Sequence, residues 1–219
     1  MVNIFRLHDD PEEAAEDHCD QHVMSGIHET GLILSTALRE YADWDDSTFF
    51  DRTDADPDDH QFYGSSHVGH PLNEWVTKRD NFAWAYDYLE ALYKEKLHRY
   101  GGSHATWEDY ARFLPRKPQC FEPGTSTQYQ AIAPRAQCPD PVVSYRVYYI
   151  VHKERPDADD GQWMAWEKNR DPPEWFVLND PLHGITSEVT RANVPQIDYT
   201  NRTRTGRPTR ETRNPNRDW

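Results

Sequence analysis

A mainly α-helical domain is predicted by three features of the sequence. Apolar residues recur at helical spacing over two long stretches, helix-entry signals stand just upstream of them, and few segments read as strands. The expected architecture is a compact bundle of two long helices plus shorter helices, joined by long irregular connections. It fills residues 1–177 as a single helical domain, and an extended, largely disordered, arginine-rich tail follows over 178–219.

Taken in order, "NIFRL" reads as a short strand or extended arm. Asp10 is suited to cap a helix, with Pro11 in its first turn and Glu12 and Glu13 favourable to its dipole. Ala15, Cys19, Val23, Ile27, Thr30, Leu34, Ala37 and Leu38 then keep the helical period, which predicts one long helix to about Arg39 or Tyr41. An acidic surface loop is expected over about 42–66. The second long helix carries Trp75, Arg79, Phe82, Ala83, Tyr86, Leu89, Tyr93 and Leu97 and stops at Gly101-Gly102. "TWEDYARFL" opens on a capping-box pattern from Thr106 to Asp109 and predicts a short helix. Five prolines between 115 and 139 make the next segment irregular. Asp140-Pro141 starts a further helix, "VVSYRVYYIVHKER", and "GQWMAWEKNRDPPEWF" should dock its aromatic residues on the helical core.

The charge is lopsided: 38 acidic against 24 basic residues, a formal −14, with only six lysines among the bases. Abundant carboxylates with scarce lysine fit a protein held in concentrated salt, where screening makes self-repulsion cheap. A halophilic host, or a virus of one, is the expectation. There the counterion-release contribution to nucleic-acid binding has mostly vanished, so an acidic chain can still meet DNA through local contacts and shape. The last twenty residues carry six arginines against two acids, a net +4 on a body of about −18. No apolar run is long enough to span a bilayer, and the start is too acidic for a leader. Cys19, Cys120 and Cys138 form no CxxC pair and read as free thiols. Host-cell cytoplasm, no membrane and no cofactor are the expectations; the oligomeric state is left open. GxGxxG, P-loop and GxSxG motifs are absent from the sequence.

The segment "HCDQHVMSGIHE" carries the candidate chemistry. At about 100° per residue, His18, His22, Ser25 and Glu29 fall within roughly 60° of one another beside the apolar stripe. Three readings compete for that face. Imidazoles at i and i+4 with a carboxylate two turns on suit a metal-dependent hydrolase, with His67 and His70 as further ligands. The same groups suit a carboxylate-centred acid/base site. They also suit the wet edge of a buried helix.

Asp20, Gln21, His22, Met24 and Glu29 resemble, in identity and spacing, a segment of the phage pyrimidine-dimer DNA glycosylases of the endonuclease V type. "NFAWAYDYLEALYKEKLHRYG" is similar to that family's second long helix, and "SYRVYYI" to its C-terminal aromatic cluster. The "HCDxHV", "RYG" and "PEWF" landmarks also resemble a set of tailed-virus proteins without an assigned activity. The glycosylase resemblance covers about a third of the chain. It implies a compact helical enzyme acting on damaged or modified bases in viral DNA. In that family the mature N-terminal amine attacks C1′ and forms an imine, and a helix glutamate stabilises the charged sugar. By this resemblance Glu29 is the catalytic carboxylate and the Val2 amine, freed by removal of Met1, the nucleophile. Gln21 and His22 match helix residues that lie against DNA, with His22 close to the chemistry. Where the family has threonine at the mature terminus this chain has Val2, and His28 stands before Glu29 in place of a basic residue.

His18 extends the same face as a DNA contact, and Arg146, Tyr145 and Tyr149 suit phosphate and base contacts. At helical spacing the tyrosines equally suit a core. Arg79, Arg99, Arg112, Arg116 and Arg135 are candidate phosphate partners, with solvated surface arginine as the alternative. A non-enzymatic viral protein that binds DNA or another protein through the arginine-rich arm is the reading from a different class.

Overall fold

The computed structural model describes residues 3–130, 132, 134–150, 164–166 and 168–177. Among these the chain is helical, with one isolated bridge between Lys78 and Glu122 and no strand. An extended arm over residues 3–9 leads into α1 (Pro11–Glu16) and α2 (Asp20–Ala42). Then come α3 (Asp46–Arg52), α4 (Pro71–Trp75) and α5 (Arg79–Tyr100). A π-helical turn (Thr106–Tyr110), two 3-10 turns (Ala111–Phe113 and Pro134–Ala136), α6 (Pro141–Tyr148) and α7 (Glu174–Val177) complete it. No helix among these residues is long and apolar enough to cross a membrane.

The two long helices, α2 and α5, run antiparallel. Asp20 at the start of α2 meets Arg99 at the end of α5, while Gly26 faces Leu92 and Tyr88. Two glycines let α2 pack closely, Gly26 against α5 and Gly31 against the Thr106–Tyr110 turn. A Cβ at Gly26 would lie 2.9 Å from Leu92 Cδ1, and one at Gly31 2.5 Å from Thr106 Cγ2. Thr106 is β-branched and buried, so it has little room to yield. Gly31→Ala is therefore expected to lower stability by about 1–3 kcal/mol through overpacking. Urea denaturation reads this directly, and an unchanged midpoint would contradict it.

Two apolar clusters form the interior. One joins α2, α3, α4 and α5 through residues such as Ile27, Leu34, Leu38, Phe49, Leu72, Phe82 and Leu89. The other gathers Leu7, Cys19 and the inner face of α6 with Met164, Trp166, Trp175 and Phe176. The arm belongs to both, with Ile4 in the first cluster and Leu7 in the second.

Several expectations need correction. The first long helix is broken at Asp17–Cys19 into α1 and α2. The backbone freed by that break is taken up from far along the chain. Arg99 donates to Glu16 O and His18 O, Trp166 Nε1 donates to Asp17 O, and Asp20 N donates to Ala165 O. These bonds satisfy polar groups that a continuous helix would have paired internally. The acidic loop contains α3, capped by Asp45, and its Trp44, Phe49 and Phe62 are buried. The second long helix is interrupted between α4 and α5, where Arg79 N turns to Glu122 O. "TWEDY" forms a π-helical turn, and Thr106 supplies no cap. Its hydroxyl instead accepts a hydrogen bond from Tyr63.

Other expectations match. Asp10 caps α1 and Asp140 caps α6, each through its carboxylate. Gly101 ends α5. Trp166, Trp175 and Phe176 are buried against the helices, together with Met164, while Trp163 lies outside the described residues. The arginine-rich tail lies outside the described residues.

Candidate active site at the N-terminal arm and Glu29

An extended arm without a strand partner leaves its backbone groups to be satisfied by side chains. Here each comes from a different element. Glu29 Oε2 accepts from Asn3 N at 2.9 Å, Gln128 Nε2 donates to Ile4 O at 2.9 Å, and Arg146 Nε donates to Leu7 O at 2.7 Å. Trp84 Nε1 donates to Asp9 O at 2.7 Å. The Asn3 side chain is held as well, its Oδ1 accepting from the Tyr145 hydroxyl at 3.0 Å. The start of the described chain is thereby fixed against the carboxylate of α2. Val2 itself lies outside the described residues.

Glu29 is half-buried on α2. Behind it stands Tyr88, whose hydroxyl is pushed well above its usual range by burial first and then by the charge of Glu29. Tyr88 OH is 2.6 Å from His18 Nε2. His18 Nδ1 lies 2.8 Å from Ala14 O, which can only accept, so Nδ1 carries the proton and Nε2 accepts from Tyr88. Burial also drives the His18 imidazole well below its ordinary value. His18 is therefore a neutral, fully committed core residue. With both nitrogens occupied it has no lone pair for a metal. His67 and His70 are engaged near α4, His67 Nδ1 with Ser66 Oγ at 2.7 Å and His70 Nδ1 with Leu72 N at 3.3 Å. Among the described residues no group of three or more His, Cys, Asp or Glu is arranged to hold a metal. The His/His/Glu face is not a metal-binding face in this fold.

His22 stands differently. It is partly exposed, its Nδ1 is 2.5 Å from the Tyr149 hydroxyl, and its ring stacks on Phe5 with centroids 5.4 Å apart. Phe5 stacks in turn on Tyr148 and meets Tyr145 and Tyr149 edge-on. Two residues along the arm from Asn3, this aromatic block fixes the His22 ring on the same helix as Glu29, two turns before it.

The proposed DNA contacts divide. Tyr145 and Tyr149 are fully buried and Arg146 is 4% exposed. They form core, in keeping with their helical spacing, and cannot meet a nucleic acid. Arg146 lies over the Trp175 ring and 3.8 Å from Asp17. His18, at 0% exposure, is excluded on the same ground. Gln21 is exposed, although its Oε1 lies 3.4 Å from Ala165 N. Among the candidate phosphate partners, Arg79 donates to backbone carbonyls of Pro118, Gln119 and Phe121. Arg112 pairs with Glu108, Arg116 with Asp87, and Arg99 is sealed in a buried network. The Arg135 side chain lies outside the described residues. What remains open to solvent beside Glu29 is the outer face of α2, formed by Gln21, Met24, Ser25 and His28.

Residues that sequence reasoning missed are Asn3, Phe5, Tyr88 and Gln128. Tyr88 lay within a helical period, but nothing in the period singled it out. An extended arm and an irregular loop carry no periodic signal at all.

Asp17 gives a pH-dependent test of the region behind the site. Burial raises its carboxyl to about 6, outweighing the Trp175 N–H and Arg146. Between about pH 4 and 6 the folded chain keeps a proton that the unfolded chain has lost, so this group's contribution to stability falls as pH rises. Relative to Asp17→Asn, the wild type is expected to lose about 3 kcal/mol across that interval, by the usual 1.36 kcal/mol per unit. Parallel stability curves for the two proteins would contradict this. The neighbouring Cys19 thiol is pushed up to about 12 by burial and is inert at neutral pH.

No family model, curated protein or solved structure matches the chain.

Proposed function

We propose that the chain is a DNA glycosylase/lyase-type enzyme, acting on damaged or modified bases through an N-terminal amine and Glu29. One observation carries this reading: the 2.9 Å hydrogen bond from Asn3 N to Glu29 Oε2. Covalent geometry keeps the nitrogen of the preceding residue within about 4 Å of Asn3 N. An α-amine on the residue before Asn3 would be one residue from the nitrogen that Glu29 binds.

The chemistry suits that pairing. An α-amine titrates near 8, so a useful fraction is neutral and nucleophilic at ordinary pH, unlike a lysine. Its attack forms an N–C1′ bond while the glycosidic bond breaks, the departing base taking the bonding pair and a proton. The sugar ring opens to an imine. Loss of a C2′ proton then expels the 3′ phosphate by β-elimination. Glu29, held by the arm before substrate arrives, stabilises the cationic sugar without having to reorganise. Covalent amine catalysis divides base removal and strand scission into two easier steps. A base in a duplex must first be extruded. On this reading DNA meets the outer face of α2, where Gln21, Met24, Ser25 and His28 are exposed.

Borohydride reduction of the imine tests the reading. The protein is incubated with abasic-site and base-damaged duplexes in dilute and in molar salt, and intact mass checks that Val2 carries a free amine. A covalent protein–DNA adduct that disappears when the α-amine is acetylated is the expected result. Absence of adduct on every substrate would overturn the proposal.

A further inference from the structure

Three hydrogen bonds from separate parts of the chain converge on Asn3 and the residue after it. Asn3 N donates to Glu29 of α2, Asn3 Oδ1 accepts from the Tyr145 hydroxyl of α6 at 3.0 Å, and Ile4 O accepts from Gln128 Nε2 at 2.9 Å. The bond to Glu29 alone would tether the arm and leave it free to pivot. Anchors on two further elements fix its orientation as well. Those two anchors lie in the interior: Asn3 is 4% exposed, Gln128 2% and Tyr145 0%. The Tyr145 hydroxyl is placed by its ring, which meets Phe5 edge-on with centroids 5.6 Å apart. Gln128 is a costly anchor. Its Oε1 is withdrawn from water without a hydrogen-bond partner. Such a desolvated oxygen cancels much of what the bond to Ile4 O contributes to stability. What that bond supplies is direction.

We propose that Tyr145 and Gln128 are positioning residues, which set the direction in which the chain enters Asn3 and so orient the α-amine of the preceding residue beside Glu29. What the amine does there rests on the proposed function. Neither residue touches substrate; both are buried and act through the arm. Attack at C1′ demands a line of approach as well as proximity, and a displacement of about 1 Å can cost about 10²-fold in rate. An arm pinned by Glu29 alone would supply proximity only.

Tyr145→Phe removes the hydroxyl and keeps the ring, and Gln128→Met removes the amide and keeps its bulk. The two act on different elements, so each stands in for the other should one fail to fold. In both, the borohydride-trapping rate at saturating abasic-site duplex is expected to fall about 10–100-fold. The dissociation constant for a duplex carrying a tetrahydrofuran abasic analogue should stay unchanged. In the free protein, NMR hydrogen exchange at Asn3 N–H is expected to quicken about tenfold, with exchange at Leu89, buried in α5, unaltered. A merely structural role would instead weaken protection at Leu89, affinity and trapping together. Trapping rates equal to wild type in both variants, or exchange at Asn3 that moves only in step with Leu89, would overturn the inference. Amide exchange needs no reaction, so the two readings fail separately. Wild-type protein that traps nothing removes the proposed function and leaves exchange to decide whether Tyr145 and Gln128 orient the arm. Trapping indifferent to both variants removes this inference alone.

Discussion

Glu29→Gln is expected to reduce borohydride-trapped adduct formation by about 10²–10³-fold while leaving the fold intact. The substitution separates two roles of one side chain. Glu29 Oε2 accepts a hydrogen bond from Asn3 N, and a glutamine oxygen in the same place accepts it equally. The arm therefore stays docked, and only the negative charge disappears. On the proposed mechanism that charge is what the cationic sugar requires, whereas the hydrogen bond from Asn3 N requires only an acceptor oxygen. Glu29→Ala removes acceptor and charge together, so it is expected to release the arm as well as abolish trapping. Trapping rates and thermal midpoints on both variants check the distinction. Unchanged trapping in Glu29→Gln would deny the carboxylate any part in the reaction.

Arg99→Leu is expected to cost about 3–5 kcal/mol, the loss typical of breaking a buried ion pair on one side. The Arg99 side chain is fully buried. It donates to Glu95 Oε1 at 2.6 Å, Asp20 Oδ1 at 3.1 Å, His18 O at 2.7 Å and Glu16 O at 2.9 Å. Leucine would leave the buried Asp20 and the buried His18 carbonyl without this donor, as well as the Glu16 carbonyl at the edge of the α1–α2 break. Glu95 fares better, since Arg170 also grips it through two bonds. Because the network is shielded from solvent ions, the loss should persist in molar salt. Arg99→Lys should recover only part of it, because an ammonium cannot reproduce the planar fork that reaches all four acceptors. Urea denaturation at low and high salt measures both variants, and a loss below about 1 kcal/mol would contradict the account.

How much of this was legible in the sequence depended on the range of the interaction. Asp10-Pro11 and Asp140-Pro141 announced α1 and α6 because cap and helix lie within four residues of each other. The tryptophan and phenylalanine of "PEWF" had to be buried somewhere, and they are. The break at Asp17–Cys19 was invisible because its partners, Arg99, Ala165 and Trp166, lie 80 to 150 positions away. The short helix α3 was hidden in an acidic run whose charges outnumber its buried residue, Phe49. At the site, Glu29 was singled out by resemblance together with its place beside the apolar stripe. His18, read from helical spacing as a face residue, proved to be core because the break turns it inward onto Tyr88. The partners from the arm and the glutamine loop had no pattern to betray them; only folding brings Asn3, Gln128 and Tyr145 together.

The most direct test of the central claim, that the start of the chain and Glu29 form one reaction centre, is to locate the trapped sugar. The adduct from an abasic-site duplex is digested with protease and nuclease, and the modified peptide is sequenced by mass spectrometry. The account predicts a sugar remnant on the α-nitrogen of Val2, in the peptide that contains Asn3. A remnant on a lysine such as Lys94 or Lys117, or an unmodified N-terminal peptide beside a trapped adduct, would contradict it.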